Sequence, residues 1–224
     1  MDQIVTSFRV FGLTDFCCNL EEVYEPTGQD RVEVLWRTIV ADAAGGEHPA
    51  PLQYGGYFHD WMLCQLKQYF AKSPWIFSNR ENWMQSIEGL AESSGVGNLL
   101  PTLAELVAEM ERDAKAEISP ETIHLRSLNE SDAYSNAVER VCRDRRLFLT
   151  TRGYIGLGPK SMRPEDEVWL LYGARVPFIL RRVDHHYGEH RLYRLVGEAY
   201  LHGFMHGEML DAGLGKEIDQ IQII

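Results

Sequence analysis

The segment "GEAYLHGFMHGE", Gly197 to Glu208, places Glu198, His202, His206 and Glu208 within a short span. Histidines beside carboxylates are what a metal centre or an acid–base site requires. Which of the two fits depends on the element that carries them. In a strand, alternate residues share a face. Arg194, Val196, Glu198, Tyr200 and His202 then line one face, and Tyr193, Leu195, Gly197, Ala199 and Leu201 form a small apolar face. His206 lies past Gly203, in a turn or short helix, so the two histidines do not project together and the segment is a poor metal site. No metal and no cofactor are expected.

The residues that remain suit acid–base chemistry. Histidine changes charge near neutral pH. His202 is a candidate general base or acid oriented by Glu198, with Tyr200 or Tyr154 as hydrogen-bond donor to an oxyanion. Tyr154 and Asp166 come from neighbouring runs and can converge on the same face. The same groups also make a structural network, for instance with Arg181 or Arg182, because buried polar groups need partners whether or not they catalyse anything.

Other candidate motifs are weaker. "RGYIGLGPKS" carries Gly153, Gly156 and Gly158 ahead of Lys160 and Ser161, but Pro159 stands where a phosphate loop needs glycine, and no helix signal follows. Strand glycines that allow a bend or close backbone approach are the simpler reading. In "DHHYGEH", His186 and His190 have a helical ligand spacing in what reads as a hairpin loop, with no cysteine pair to support a zinc site. His59 and Asp60 are adjacent on a helix and point apart. Ser119, His124 and Ser131 have no nucleophile elbow around them. The cysteines, with Cys17 and Cys18 adjacent, read as free thiols.

The elements that position these groups follow from pattern. "TSFRVFG" reads as an early strand. "RVEVLWRTIVAD" has helical spacing, with Asp30 as N-cap. "YFHDWMLCQLKQYFAKS" is an amphipathic helix stopped by Pro74, and a short helix covers Trp83 to Leu90. "LPTLAELVAEMERDAKAE" is a helix with Pro101 in its first turn, and "SDAYSNAVERVCRD" a helix capped by Ser131. After Asp144 come the short runs "RRLFLTT", "GYIGLGP", "DEVWLLYG", "RVPFILRRV" and "RLYRLVGEAYL", separated by brief turns that favour antiparallel neighbours. The expected class is α+β: a mainly helical part, residues 1–143 with one early strand, packed on residues 144–224, an antiparallel β meander or small half-open barrel with a C-terminal tail, together one compact domain.

The 224 residues carry a net charge of −11 and a pI near 5.2, which argues against nucleic acid or an anionic membrane surface as partner. The start has no signal-peptide pattern and no apolar run is long enough to span a bilayer, so a cytoplasmic protein is expected. Oligomeric state is not encoded in any pattern we find.

The block "RRLFLTTRGYIGLGPKSMRPEDEVWLLYGARVPFILR", followed by "YRLVGEAYLHGFMHGEML", resembles the C-terminal region of fungal heterokaryon-incompatibility (HET) proteins. The matching residues include Arg145, Arg146, Phe148, Gly153, Tyr154, Gly156, Gly158, Pro159, Asp166, Gly173, Pro177, Glu198, Tyr200, His202, Gly203 and Glu208. "VLWRTIVAD" is similar to a tryptophan-arginine-threonine helix of the same proteins. Their N-terminal domain, with its tyrosine, serine and tryptophan-glycine signature, is the part associated with cell death when unlike fungal cells fuse, and that signature is not found here. The resemblance therefore implies a fold and a fungal origin, and a stand-alone module that binds a partner protein or small apolar ligand, with the tryptophans available to line a pocket. The alternative is a cofactor-independent cyclase, isomerase or lyase of fungal secondary metabolism, using His202, Glu198, Tyr200, Tyr154 and Asp166.

Overall fold

The computed structural model describes residues 2–8, 23–72, 99–115, 132–183, 191–206 and 220–224. Cys17, Cys18, Trp75, Trp83, Ser119, His124, Ser131, the loop 184–190 and Glu208 lie outside them, as does the short helix expected at Trp83 to Leu90.

Four helices are described. Helix α1 (Arg31–Ile39) starts where the Asp30 side chain accepts a hydrogen bond from the Val32 amide at 2.7 Å. Burial pushes the Asp30 carboxyl above its ordinary pKa, although the Val32 and Glu33 amides pull against it. Val32, Val34, Leu35, Trp36 and Ile39 of α1 are all buried, so this helix is the centre of the helical layer. Helix α2 (Tyr54–Lys72) and helix α4 (Asp132–Cys142) pack on it through Phe58, Trp61 and Tyr134, and the Tyr134 hydroxyl donates to the Trp36 carbonyl at 3.0 Å. Each such buried aromatic contributes roughly 1.5–3 kcal/mol by leaving water. Helix α3 (Leu103–Lys115) opens with a reciprocal cap: Glu105 N–H donates to Thr102 Oγ1, and Thr102 N–H donates to Glu105 Oε2 at 2.8 Å. Pro101 therefore precedes the cap instead of sitting in the first turn. Lys67 of α2 ties α3 down through Glu109 and Asp113.

The remaining chain forms strands β1 (Asp2–Phe8), β4 (Arg145–Thr150), β5 (Ile155–Pro159), β6 (Glu167–Trp169), β7 (Phe178–Arg182), β8 (Arg191–Glu198), β9 (Tyr200–Leu201) and β10 (Ile221–Ile223), in the sheet order β10-β8-β7-β6-β1-β4-β5-β9. A separate two-stranded hairpin joins β2 (Val23–Tyr24) to β3 (Gln29–Asp30). The early strand is inserted between β6 and β4, in the middle of the sheet. The tail contributes β10, parallel to β8, which the short-turn pattern did not indicate.

The α+β class and the curled sheet follow as expected, and one run of chain explains the curl. β8 and β9 are a single extended stretch interrupted at Ala199. Its first part pairs with β7 and its last part with β5, so the two ends of the antiparallel sheet are drawn together. Glycines permit the approach. A Cβ on Gly197 would lie 2.6 Å from the Pro159 ring of β5, and one on Gly156 would lie 2.4 Å from both the Phe148 ring and the Tyr200 carbonyl oxygen. Phe148, Ile4, Val168, Ile179 and Leu201 fill the concave side. Leu147, Ile155, Leu157 and Tyr200 face the other way, into the core shared with the helices.

Strict alternation does not survive along β8. Leu180 pairs with Leu195 but Ile179 pairs with Gly197, so Val196 is an extra residue. The bulge reverses parity. Tyr193 packs with Leu180 and Trp169, whereas Ala199 and Leu201 join the concave core, so the apolar face read from the sequence is split in two.

Candidate functional site

A cleft of about 320 Å³ opens where the loop after α1 meets the ends of the sheet. The loop supplies Ala41 and His48, β4 supplies Arg145, and the β6–β7 connection supplies Arg175 and Val176. Glu198 ends β8, Ala199 and Tyr200 follow it, and Met205 and His206 come after β9.

Beneath this cleft runs a chain of polar side chains. The Tyr200 hydroxyl lies 2.8 Å from His202 Nδ1, and His202 Nε2 lies 2.7 Å from Gln29 Oε1. The Gln29 amide nitrogen donates to Glu33 Oε1, so its oxygen is the end that faces His202. Nε2 of His202 therefore carries the proton and Nδ1 accepts from Tyr200. Glu33 Oε1 also accepts from Arg37 Nε at 2.8 Å, and Arg37 Nη1 donates to Asp42 Oδ1 at 2.6 Å and to the Ala50 carbonyl at 2.7 Å. Asp42 in turn accepts from the Ala50 amide, and its second oxygen stands 3.9 Å from His48 Nε2. The hydrogen-bonded string runs from Tyr200, which lines the cleft, to Asp42, which stands beside His48, another lining residue.

The backbone around His202 is held as firmly. Its amide donates to the Ile155 carbonyl, its carbonyl accepts from the Tyr24 hydroxyl, and that hydroxyl accepts from the Ile155 amide. His202 is 3% exposed and is not among the cleft-lining residues.

The curled sheet, joined by the run from β8 to β9 and packed against the helix that carries Trp36, Arg37 and Thr38, agrees with the comparison: residues 9–218 match the family described as the Het-6 beta-barrel domain. The chain belongs to that family. A stretch of 67 residues is 40% identical to heterokaryon incompatibility protein 6, OR allele, of Neurospora crassa, covering 30% of this chain and 10% of that protein. The chain thus spans about a tenth of that relative's length. No solved structure matches.

In this Het-6 barrel chain the residues singled out from the sequence occupy different environments. Glu198 and Tyr200 share the cleft. His202 stands behind Tyr200. Asp166 is 2% exposed and is held by Arg181, whose Nε and Nη2 donate to its two oxygens at 2.7 and 2.8 Å, while the Arg163 amide donates at 2.7 Å. The hydrogen bonds that Arg181 donates to Asp166 raise the Arg181 pKa further. That pair clamps the turn before β6, and Arg181 also reaches the Ser161 carbonyl. Tyr154 packs on Phe204 with ring centroids 4.7 Å apart in the concave core. Trp36, Trp61 and Trp169 are buried in core clusters and line no part of the cleft.

Gln29, Glu33, Asp42, His48 and Arg175 were not marked by any motif. One signal was available: Glu33 and Arg37 stand four residues apart, the spacing that pairs side chains along one helical face. Among the described residues no group of three or more histidine, cysteine or acidic side chains could hold a metal ion. No described helix is long and apolar enough to cross a membrane.

Proposed function

We propose that this Het-6 barrel domain is a binding module that takes a small polar ligand in the cleft between its helical layer and its sheet. The supporting observation is the hydrogen-bonded string from Tyr200 to Asp42, which holds Tyr200 in the wall of a cleft of about 320 Å³ from behind and brings Asp42 to 3.9 Å from His48, another lining residue. Pre-positioned polar groups around a cavity near this size are what small-molecule sites provide. The ligand carries polar groups, because arginine, histidine and glutamate reach the cleft beside Ala41, Val176, Ala199 and Met205, while the described tryptophans are committed to the core. Titration of the ¹⁵N-labelled chain with a panel of neutral, anionic and cationic metabolites tests the reading. Saturable shifts at Tyr200, Met205 and His206 support it; shifts confined to other surfaces, or none with any member, count against it.

A second reading, a cofactor-independent acid–base enzyme, has one observation in its favour. Tyr200 reaches the cleft while its hydroxyl donates to a buried imidazole. In that case Tyr200 is the group that meets substrate and His202 positions it. Tyr200→Phe would then abolish conversion of a cleft-bound compound while leaving its affinity nearly unchanged. No conversion of any compound that binds the cleft removes this reading.

A further inference from the structure

We infer that the cleft selects a small oxyanion, a carboxylate or phosphate group, gripped by Arg145 and Arg175. This rests on the cleft being a ligand site, as proposed above. The chain as a whole is strongly acidic, at −11. The cleft has the opposite balance: Arg145 and Arg175 against Glu198 alone, with His48 and His206 beside them. Among the described residues Arg37, Arg143 and Arg181 are paired with Glu33 and Asp42, Glu139, and Asp166, whereas Arg145 and Arg175 form no ion pair.

The acidic side chains nearest Arg145 along the chain are already engaged. Lys160 holds Asp144 at 2.5 Å, and that bond keeps the Asp144 carboxyl below its ordinary pKa. Arg143 holds Glu139. Arg145 is placed rigidly by its position as the first residue of β4, opposite Pro159 of β5. A guanidinium with its planar fork uncommitted is the side chain best matched to carboxylate and phosphate oxygens. The histidines add donors on the opposite wall: His206 Nε2 lies 3.0 Å from His48 Nε2, so one ring donates to the other. Glu198 gives the site a single acceptor, suited to a hydroxyl or amine elsewhere on the same ligand. The size of the cleft fits a small metabolite, not a polymer.

The test is a titration of the full chain at low and physiological ionic strength with inorganic phosphate, with succinate, and with a neutral diol of succinate's length. Chemical shifts of the cleft residues are the readout. Both anions, or one of them, should bind the cleft, more weakly as salt rises, and the diol should not. Which anion binds tighter separates a phosphate from a carboxylate ligand. Arg145→Gln and Arg175→Gln should each weaken binding at least tenfold with melting temperatures near that of the wild type, and Glu198→Gln should leave it unchanged or tighter. Anion affinity that survives both arginine substitutions overturns the inference. So does a cleft that binds the diol or a cationic member of the wider panel and ignores both anions, although the binding-module reading would then stand. A cleft that binds nothing in the panel removes both.

Discussion

Tyr200 and His202 are joined through the Tyr200 hydroxyl and His202 Nδ1, 2.8 Å apart, and only Tyr200 reaches the cleft. The histidine is therefore an internal support. Its other nitrogen is bound to Gln29 of the β2–β3 hairpin, so one imidazole ties that hairpin, the end of the sheet and the cleft wall together. Removing the hydroxyl leaves a buried acceptor without this donor. Tyr200→Phe should cost about 1–3 kcal/mol in chemical denaturation. A double-mutant cycle of Gln29→Ala with His202→Ala should show coupling of at least ~0.5 kcal/mol, whereas additive losses would mean that the contact contributes nothing of its own.

Arg37 is held on several sides at once in the helical layer. It bonds Glu33, Asp42 and the Ala50 carbonyl, and its guanidinium lies 4.3 Å from the centroid of the Trp36 ring. Arg37→Met would strand Asp42, which is also buried, and should destabilise by about 3–5 kcal/mol. Arg37→Lys should recover little, because an ammonium cannot reproduce the fork. Thermal melts of the two variants check this. A lysine variant that melts like the wild type would show that charge alone, not geometry, is what the site needs.

Two glycines should respond in opposite directions. Gly156→Ala puts a methyl 2.4 Å from the Tyr200 carbonyl oxygen, a backbone atom that cannot move without opening the junction of β5 and β9. Overpacking of this kind costs about 1–3 kcal/mol or more. Gly56, in the first turns of α2, leaves open space where a methyl would sit, with nothing within 4 Å, and Gly56→Ala should stabilise by up to about 0.5–1 kcal/mol through helix propensity. Equal melting shifts for both would contradict the description of the β5–β9 contact.

The cap of α3 gives a pH signature. The Thr102 amide, opposed by partial burial, holds the Glu105 carboxyl below the usual glutamate range. A carboxyl depressed in the folded state stabilises the fold above its unfolded pKa and loses that contribution as pH falls through the folded one. The stability gap between wild type and Glu105→Gln, on the order of 0.5 kcal/mol once solvent screening is allowed for, should therefore be widest above the ordinary glutamate pKa of about 4.3 and narrow on further acidification. A gap that stays constant down to about pH 3 would mean that the carboxylate charge plays no part in the cap.

Much of the architecture was legible because it is written in local periodicity. The α1 pattern with its Asp30 cap, the helices α2, α3 and α4, and the succession of short strands after Asp144 all follow from spacing and turn residues. Strand pairings between distant segments were not legible. The insertion of β1 beside β4 and the parallel β10 depend on contacts across most of the chain, which no local pattern records. At the site, Glu198 and Tyr200 were found by counting alternate residues, and the count worked there because both lie past the Val196 bulge. It misled upstream of the bulge, where Leu195 is exposed and Tyr193 buried. Gln29, Asp42 and Arg175 were invisible because each reaches the site or its support from a turn or hairpin whose position is set only by the packed layers.

The central claim is that the cleft between the layers binds a small ligand, and blocking the cleft tests it most directly. Val176 sits on the cleft wall, and Val176→Trp should fill much of the space without replacing any residue of the polar string. With the panel compound that gives the largest shifts, the wild type should bind saturably, and Val176→Trp, folded and melting normally, should lose binding at least tenfold. Undiminished binding by the blocked variant would place the ligand elsewhere and contradict the account.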